Sequence, residues 1–140
     1  MWYISFKKLI NKIKEVKEDV IFVGGVSELL QGCRESTKDI DICVTNLDGL
    51  EKLGNINKFK TNSPTSKSGL RAGIEDNEYL IDIFIESDLP DYVIINGIKC
   101  ETIESMIKEY GRVISEMNNP LKISSKNKMI NKLQNLQKHK

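Results

Sequence analysis

Three aspartates and a pair of glycines are the residues of this chain whose types and spacing could do chemistry. Phe22-Val23-Gly24-Gly25-Val26-Ser27 places two glycines where a short apolar run ends. Lys38-Asp39-Ile40-Asp41-Ile42 follows, with two carboxylates alternating with isoleucines. A third carboxylate, Asp82, interrupts another apolar run, Tyr79-Leu80-Ile81-Asp82-Ile83-Phe84-Ile85. Side chains alternate between the faces of a strand, so Asp39 and Asp41 would project from one side and Ile40 and Ile42 from the other. Two like charges held that close repel, and a cation between them relieves the repulsion. Magnesium takes one or two carboxylates together with phosphate oxygens and water. Glycines at a strand-to-helix turn let the backbone approach phosphates closely. If the strand of Asp82 lies beside that of Asp39, the three carboxylates suffice for two ions.

Taken singly, each feature has a blander reading: a solvated strand face, or a glycine that serves only backbone geometry. The combination is what points to metal and phosphate. Other phosphate motifs fit less well. The stretch Gly25 to Gly32 lacks the Gly-Lys-Ser/Thr ending of a Walker A loop, and no GxGxxG fingerprint is present.

The elements that must position these residues are legible in outline. Phe6, Leu9, Ile10, Ile13 and Val16 recur at helical steps among lysines, the pattern of an amphipathic helix. Val20 to Val23 reads as a buried strand, Val26 to Gln31 as a helix ended by Gly32, and Asp39 to Val44 as a second strand. A short helix is expected over Leu47 to Leu53 and a strand over Ile56 to Lys60. Asn62 to Gly69 is a loop by composition. Leu70 to Glu75 and Glu78 to Glu86 read as antiparallel strands joined at Asp76-Asn77. Tyr92 to Cys100 is a hairpin turning at Asn96-Gly97. Thr102 is a candidate cap for the following helix. Pro120 separates that helix from a last one carrying Met129, Ile130, Leu133 and Leu136 as a narrow apolar stripe. The order suggests an α+β fold, a mixed sheet with helices mainly on one face.

At 140 residues the chain is most simply one domain, with a core over about 20–100 and C-terminal helices over about 102–138. With 39% hydrophobic and 29% charged residues the composition is that of an ordinary soluble protein. No apolar run approaches the roughly 20 residues of a membrane span. The first residues lack signal-peptide order, so a cytoplasmic location is expected, with no membrane partner. Cys33, Cys43 and Cys100 are unpaired in pattern and accompany a single histidine, His139, which argues against a zinc site or disulfide framework. Charge is unevenly spread. Ala72 to Ile98 holds acids and no Lys or Arg, whereas Asn119 to Lys140 holds six lysines and no acid.

Gly24-Gly25, a short helix, Asp39-x-Asp41 and a later strand-borne Asp82 resemble the DNA polymerase β-like nucleotidyltransferase superfamily. Arg34-Glu35-Ser36 upstream of the pair is similar to the arrangement in abortive-infection-type nucleotidyltransferase toxins, with one more residue between Ser36 and Asp39. The tRNA CCA-adding enzymes share the opening, but their Arg-Asp after the glycines is replaced here by Ser27-Glu28. The resemblance covers roughly Val20 to Ile85. It implies a nucleotidyltransferase fold and transfer of a nucleoside monophosphate from an NTP, ATP among them, to a hydroxyl, with release of pyrophosphate. It implies Gly24, Gly25 and Ser27 at the triphosphate, Asp39 and Asp41 on both Mg²⁺ ions (or Mn²⁺ in their place), and Asp82 on the ion that activates the acceptor. Lys67 and Arg71, flanking the loop, and Arg34 are further candidates for the triphosphate.

The acceptor class stays open among RNA such as tRNA, a protein side chain and a small molecule such as an aminoglycoside. Lys122, Lys126, Lys128, Lys132, Lys138 and Lys140 give RNA some support, since lysines release phosphate counterions. The rival expectation is a non-catalytic nucleotide-binding or partner-binding regulatory domain of the same fold. Small members of the superfamily often work with a helical partner protein, and the toxin-like ones, in toxin–antitoxin pairs, with an antitoxin.

Overall fold

The computed structural model describes residues 2–75, 79–117 and 123–139. Asp76, Asn77, Glu78, Pro120, Lys122 and Lys140, named among the expected features above, lie outside the described residues.

The elements run α1 (Trp2–Val16), β1 (Ile21–Val23), α2 (Gly24–Leu30), β2 (Ile40–Val44), a 3₁₀ turn (Leu50–Leu53), β3 (Asn57–Lys60), β4 (Leu70–Glu75), β5 (Leu80–Ile85), β6 (Tyr92–Ile95), β7 (Ile98–Glu101), α3 (Ile103–Glu116) and α4 (Ile123–Lys138). The strands form one seven-stranded sheet in the order β3-β4-β5-β2-β1-β7-β6. The β2–β5 and β1–β7 pairs are parallel and the others antiparallel, so the sheet is mixed and the class is α+β.

One face of the sheet carries the core. Phe22, Ile40, Ile42, Ile81 and Ile83 are fully buried there against Phe6, Leu9, Ile10 and Ile13 of α1 and Val26 of α2. Each such side chain contributes roughly 1.5–3 kcal/mol by leaving water. Lys17, just past α1, donates to Asn46 Oδ1 at 2.8 Å and to the Asp48 carbonyl at 3.1 Å, which ties the helix end to the loop after β2.

Helices are not confined to that face. α3 and α4 pack on each other around Met106 and Leu136, with Cys33 between them and α2, and they border the opposite face. Their apolar stripes are narrow, enough to join two helices and a loop but not to cover a sheet. Local signals hold where they were strongest. Asn96 and Gly97 have φ of 52° and 76°, the left-handed pair that a tight hairpin requires. The Thr102 hydroxyl accepts the Ser105 N–H at 3.1 Å, capping α3. The expected helix at Leu47 to Leu53 is only a 3₁₀ turn, and α2 begins at the glycines themselves rather than at Val26. Among the described residues no helix is long and apolar enough to cross a membrane.

Candidate functional site

The face opposite the core is the floor of a cleft of about 1120 Å³, walled by α3, part of α4 and the loop over 62–69. Its floor follows from strand alternation. Ile40, Ile42, Ile81 and Ile83 point into the core, so Asp41, Cys43, Asp82 and Phe84 must point the other way. The parallel register pairs Asp41 directly with Asp82 on neighbouring strands, which sets their Cα atoms roughly 4.8 Å apart. Asp39 lies just before β2 and adds its charge to both. The three aspartates therefore meet on one side of the sheet, at the ends of two central strands.

Burial pushes the Asp41 carboxyl up to about 7, and the charges of Asp82 and Asp39 push in the same direction, against weaker pulls from Arg71 and Lys132. Burial also raises Asp82, opposed by Arg71. Room for Asp41 comes from Gly24, whose φ is +57°; a β-carbon there would stand 2.5 Å from Asp41 Oδ2. The first glycine is thus required by the carboxylate it faces as well as by its backbone angle. The second, Gly25, leaves space first for the Thr37 hydroxyl and then for Arg34, whose Nη1 would lie 2.8 Å from a β-carbon.

Arg71 sits on β4, next to β5. Its cross-strand neighbour is Phe84, and the residue opposite Asp82 is Gly73, which has no side chain to intervene. The Arg71 guanidinium therefore reaches diagonally to Asp82 and pairs with it. It also lies 4.5 Å from the ring centre of Phe84 and 6.0 Å from that of Phe59. Lys67 lines the cleft but pairs with Glu109 of α3 at 3.3 Å, and Arg112 of α3 donates to the Pro64 carbonyl at 2.7 Å. The loop is thereby held against α3.

Ser27 is not brought to the cleft. It is fully buried, donates to the Glu101 carbonyl at 2.6 Å and lies 2.8 Å from Gln31 Nε2, which donates to it. At the fourth position of α2 its side chain turns back toward β7, so it has no hydroxyl to offer a ligand in the cleft. Among the described residues no three His, Cys, Asp or Glu side chains are placed closely enough to hold an ion as they stand, and Asp82 is engaged by Arg71. The donor set nevertheless suits a hard divalent cation: all oxygen, on rigid strands, and mutually repelling. Magnesium or manganese would be held by Asp39, Asp41 and Asp82.

Two further residues of the cleft, Glu101 and Lys132, and one buried acid behind it, Glu28, had weaker sequence signals. Glu28 interrupts the apolar run of α2 and is only 3% exposed. Glu101, the last residue of β7, is 7% exposed, lines the cleft and accepts the Ser105 hydroxyl at 2.6 Å. Glu28, beside the apolar Leu29-Leu30, could be sought as an acid near an apolar run, whereas Glu101, after Lys99 and before Thr102, carries no such local signal. Lys132 of α4 also lines the cleft, and no local pattern marks it. The cysteines are buried and free, and burial pushes the Cys43 thiol up to about 12, which leaves no thiolate nucleophile there. No protein-family model, curated protein or solved structure matches the chain significantly.

Proposed function

We propose that this chain is a metal-dependent nucleotidyltransferase of the DNA polymerase β-like kind, moving a nucleoside monophosphate from an NTP to a hydroxyl. The observation that carries the reading is the register of Asp41 with Asp82 on adjacent parallel strands, with Asp41 lining the cleft beside Asp39 and the Gly24-Gly25 turn. In such a transfer the acceptor oxygen forms a bond to the α-phosphorus while the bond to the bridging oxygen of pyrophosphate breaks. A pair of bound divalent ions would supply charge to the attacking and departing oxygens. The aspartates would orient those ions and take up the acceptor proton near Asp82. Arg34 and the glycine turn would place the phosphate chain, and the α3 wall would screen it from water.

The test is incubation of the purified protein with labelled NTPs, Mg²⁺ and cell extract, followed by identification of the labelled product. Asp41→Asn and Asp82→Asn are expected to keep the fold and lower transfer at least about a hundredfold. Full activity in either variant would remove the metal assignment. A second reading, a nucleotide-binding regulator without catalysis, draws on the Arg71–Asp82 ion pair, which occupies one proposed ligand. Calorimetry with each NTP separates the two: the enzyme reading requires nucleotide affinity that rises with Mg²⁺. RNA, protein and small-molecule acceptors, and an antitoxin or other helical partner, all remain within the proposal. The labelled product distinguishes among the acceptors.

A further inference from the structure

Phe59 and Phe84 are aromatic side chains that metal and phosphate chemistry leave without a task. The register pairs Phe59 of β3 with Arg71 of β4, and Arg71 with Phe84 of β5. Directly opposed residues project from the same face of a sheet, and Phe84 faces away from the core as Asp82 does. The three side chains therefore form one row on the carboxylate side of the sheet. The next row on that side holds Gly73, Asp82 and Asp41, roughly 7 Å along the strands. Arg71 and Phe84 line the cleft, whereas Phe59 stands on the edge strand and is 47% exposed. The guanidinium carbon lies 4.5 Å from the ring centre of Phe84 and 6.0 Å from that of Phe59. Flat π-surfaces thus run from the cleft floor out to the edge of the sheet. The chain around them suits a polyanion. Residues 52–74 contain Lys52, Lys58, Lys60, Lys67 and Arg71 and no Asp or Glu, and all four residues of β3 are exposed.

We infer that the row Phe59–Arg71–Phe84 is a stacking platform for single-stranded RNA, and that it leads the 3′ end of that strand to the aspartates as the acceptor. This deepens the nucleotidyltransferase reading and rests on it. Every base has a π-face, so aromatic rings and guanidinium planes hold a strand with little regard to its sequence. Phe59 and Phe84 are two strands apart, roughly 10 Å. That span is too long for the single base of an NTP and suits successive bases of a strand. A cationic acceptor without aromatic rings, such as an aminoglycoside, has nothing to stack and meets five like charges over 52–74. The terminal 3′ hydroxyl bonds to the α-phosphorus and gives up its proton near Asp82, and pyrophosphate leaves with the bridging oxygen.

The probe is a fluorescently labelled single-stranded oligouridylate, titrated with the full chain at low ionic strength with EDTA present, and binding is read by anisotropy. Phe59→Leu is expected to weaken binding about tenfold. Phe59→Tyr keeps the π-face and is expected to bind as the wild type does. Ile94→Ala, exposed on the opposite edge of the sheet, is expected to leave binding unchanged. The duplex of the same strand with oligoadenylate should bind at least about tenfold more weakly, because its bases are already stacked on one another. A surface that recognises charge alone would favour the duplex, which carries the higher charge density. Phe59 is largely exposed, so its variants are expected to fold, with thermal unfolding as the check. Equal binding by Phe59→Leu, preference for the duplex, or no binding by the wild type overturns the inference and leaves a protein or small-molecule acceptor. The nucleotidyltransferase reading is judged separately, by Mg²⁺-dependent NTP binding to the wild type and its loss in Asp41→Asn, a variant expected to keep its RNA affinity. Either result can fail while the other stands.

Discussion

Arg71 lines the cleft with Asp82 at its tip and the rings of Phe84 and Phe59 nearby. Its buried Nε has no hydrogen-bond partner among the described residues, so the guanidinium is not fully satisfied where it lies. On the proposed reading it would compete with a divalent ion for Asp82. Arg71→Met should therefore bind Mn²⁺ about tenfold more tightly than the wild type in the absence of nucleotide, measured from the free-ion signal by electron paramagnetic resonance. Unchanged Mn²⁺ affinity would mean that the ion pair does not guard the site. At this scale Asp39 and Asp41 were legible because they alternate with buried isoleucines, and Asp82 because it interrupts an apolar run. The partner of Asp82 was not legible. Gly73 and Arg71 gain meaning only from the antiparallel register of β4 on β5, which no local pattern states. Ser27 was misplaced because sequence spacing gives its distance from the glycines but not the direction in which α2 turns it.

The pairing of β2 with β5 is the element-level fact on which the site depends, and it spans a 3₁₀ turn and two strands. Hairpins such as β6–β7 and β4–β5 were readable because their turns are local. The parallel pair is set by burial on both strands at once, so only its alternation could be anticipated. The same packing buries Glu101 at the end of β7. Burial raises its carboxyl from 4.5 to about 7, opposed by the Ser105 hydroxyl and by Lys67, with Glu109 adding to the rise. The unfolded chain ionises first as pH increases, so between about 4.5 and 7 the native state holds more protons. Stability must then fall across that window and stay lower above it. Glu101→Gln removes this contribution. Urea unfolding should show the variant matching the wild type near pH 4 and exceeding it at pH 8 by up to about 3 kcal/mol. A constant difference across that range would assign Glu101 a structural role independent of its charge.

At the scale of the whole molecule, two apolar clusters of unequal size face each other across the cleft. The larger joins α1 and α2 to the sheet, and the smaller holds Cys33, Met106 and Leu136 with α3 and α4. The uneven charge of the sequence is resolved by this arrangement, since the acid-free C-terminal helix lays Lys132 beside the acidic floor. Composition could reveal the two charged segments but not that the fold would bring them together. A helix held mainly by one fully buried leucine should open before the sheet does. Native-state hydrogen exchange is expected to show α4 amides opening at lower free energy than those of β2 and β5. Leu136→Ala, which should cost about 2–5 kcal/mol locally, is expected to speed exchange in α4 and α3 while leaving β5 nearly unchanged. Exchange of α4 and β5 in a single cooperative step would show that the cleft does not separate two units of stability.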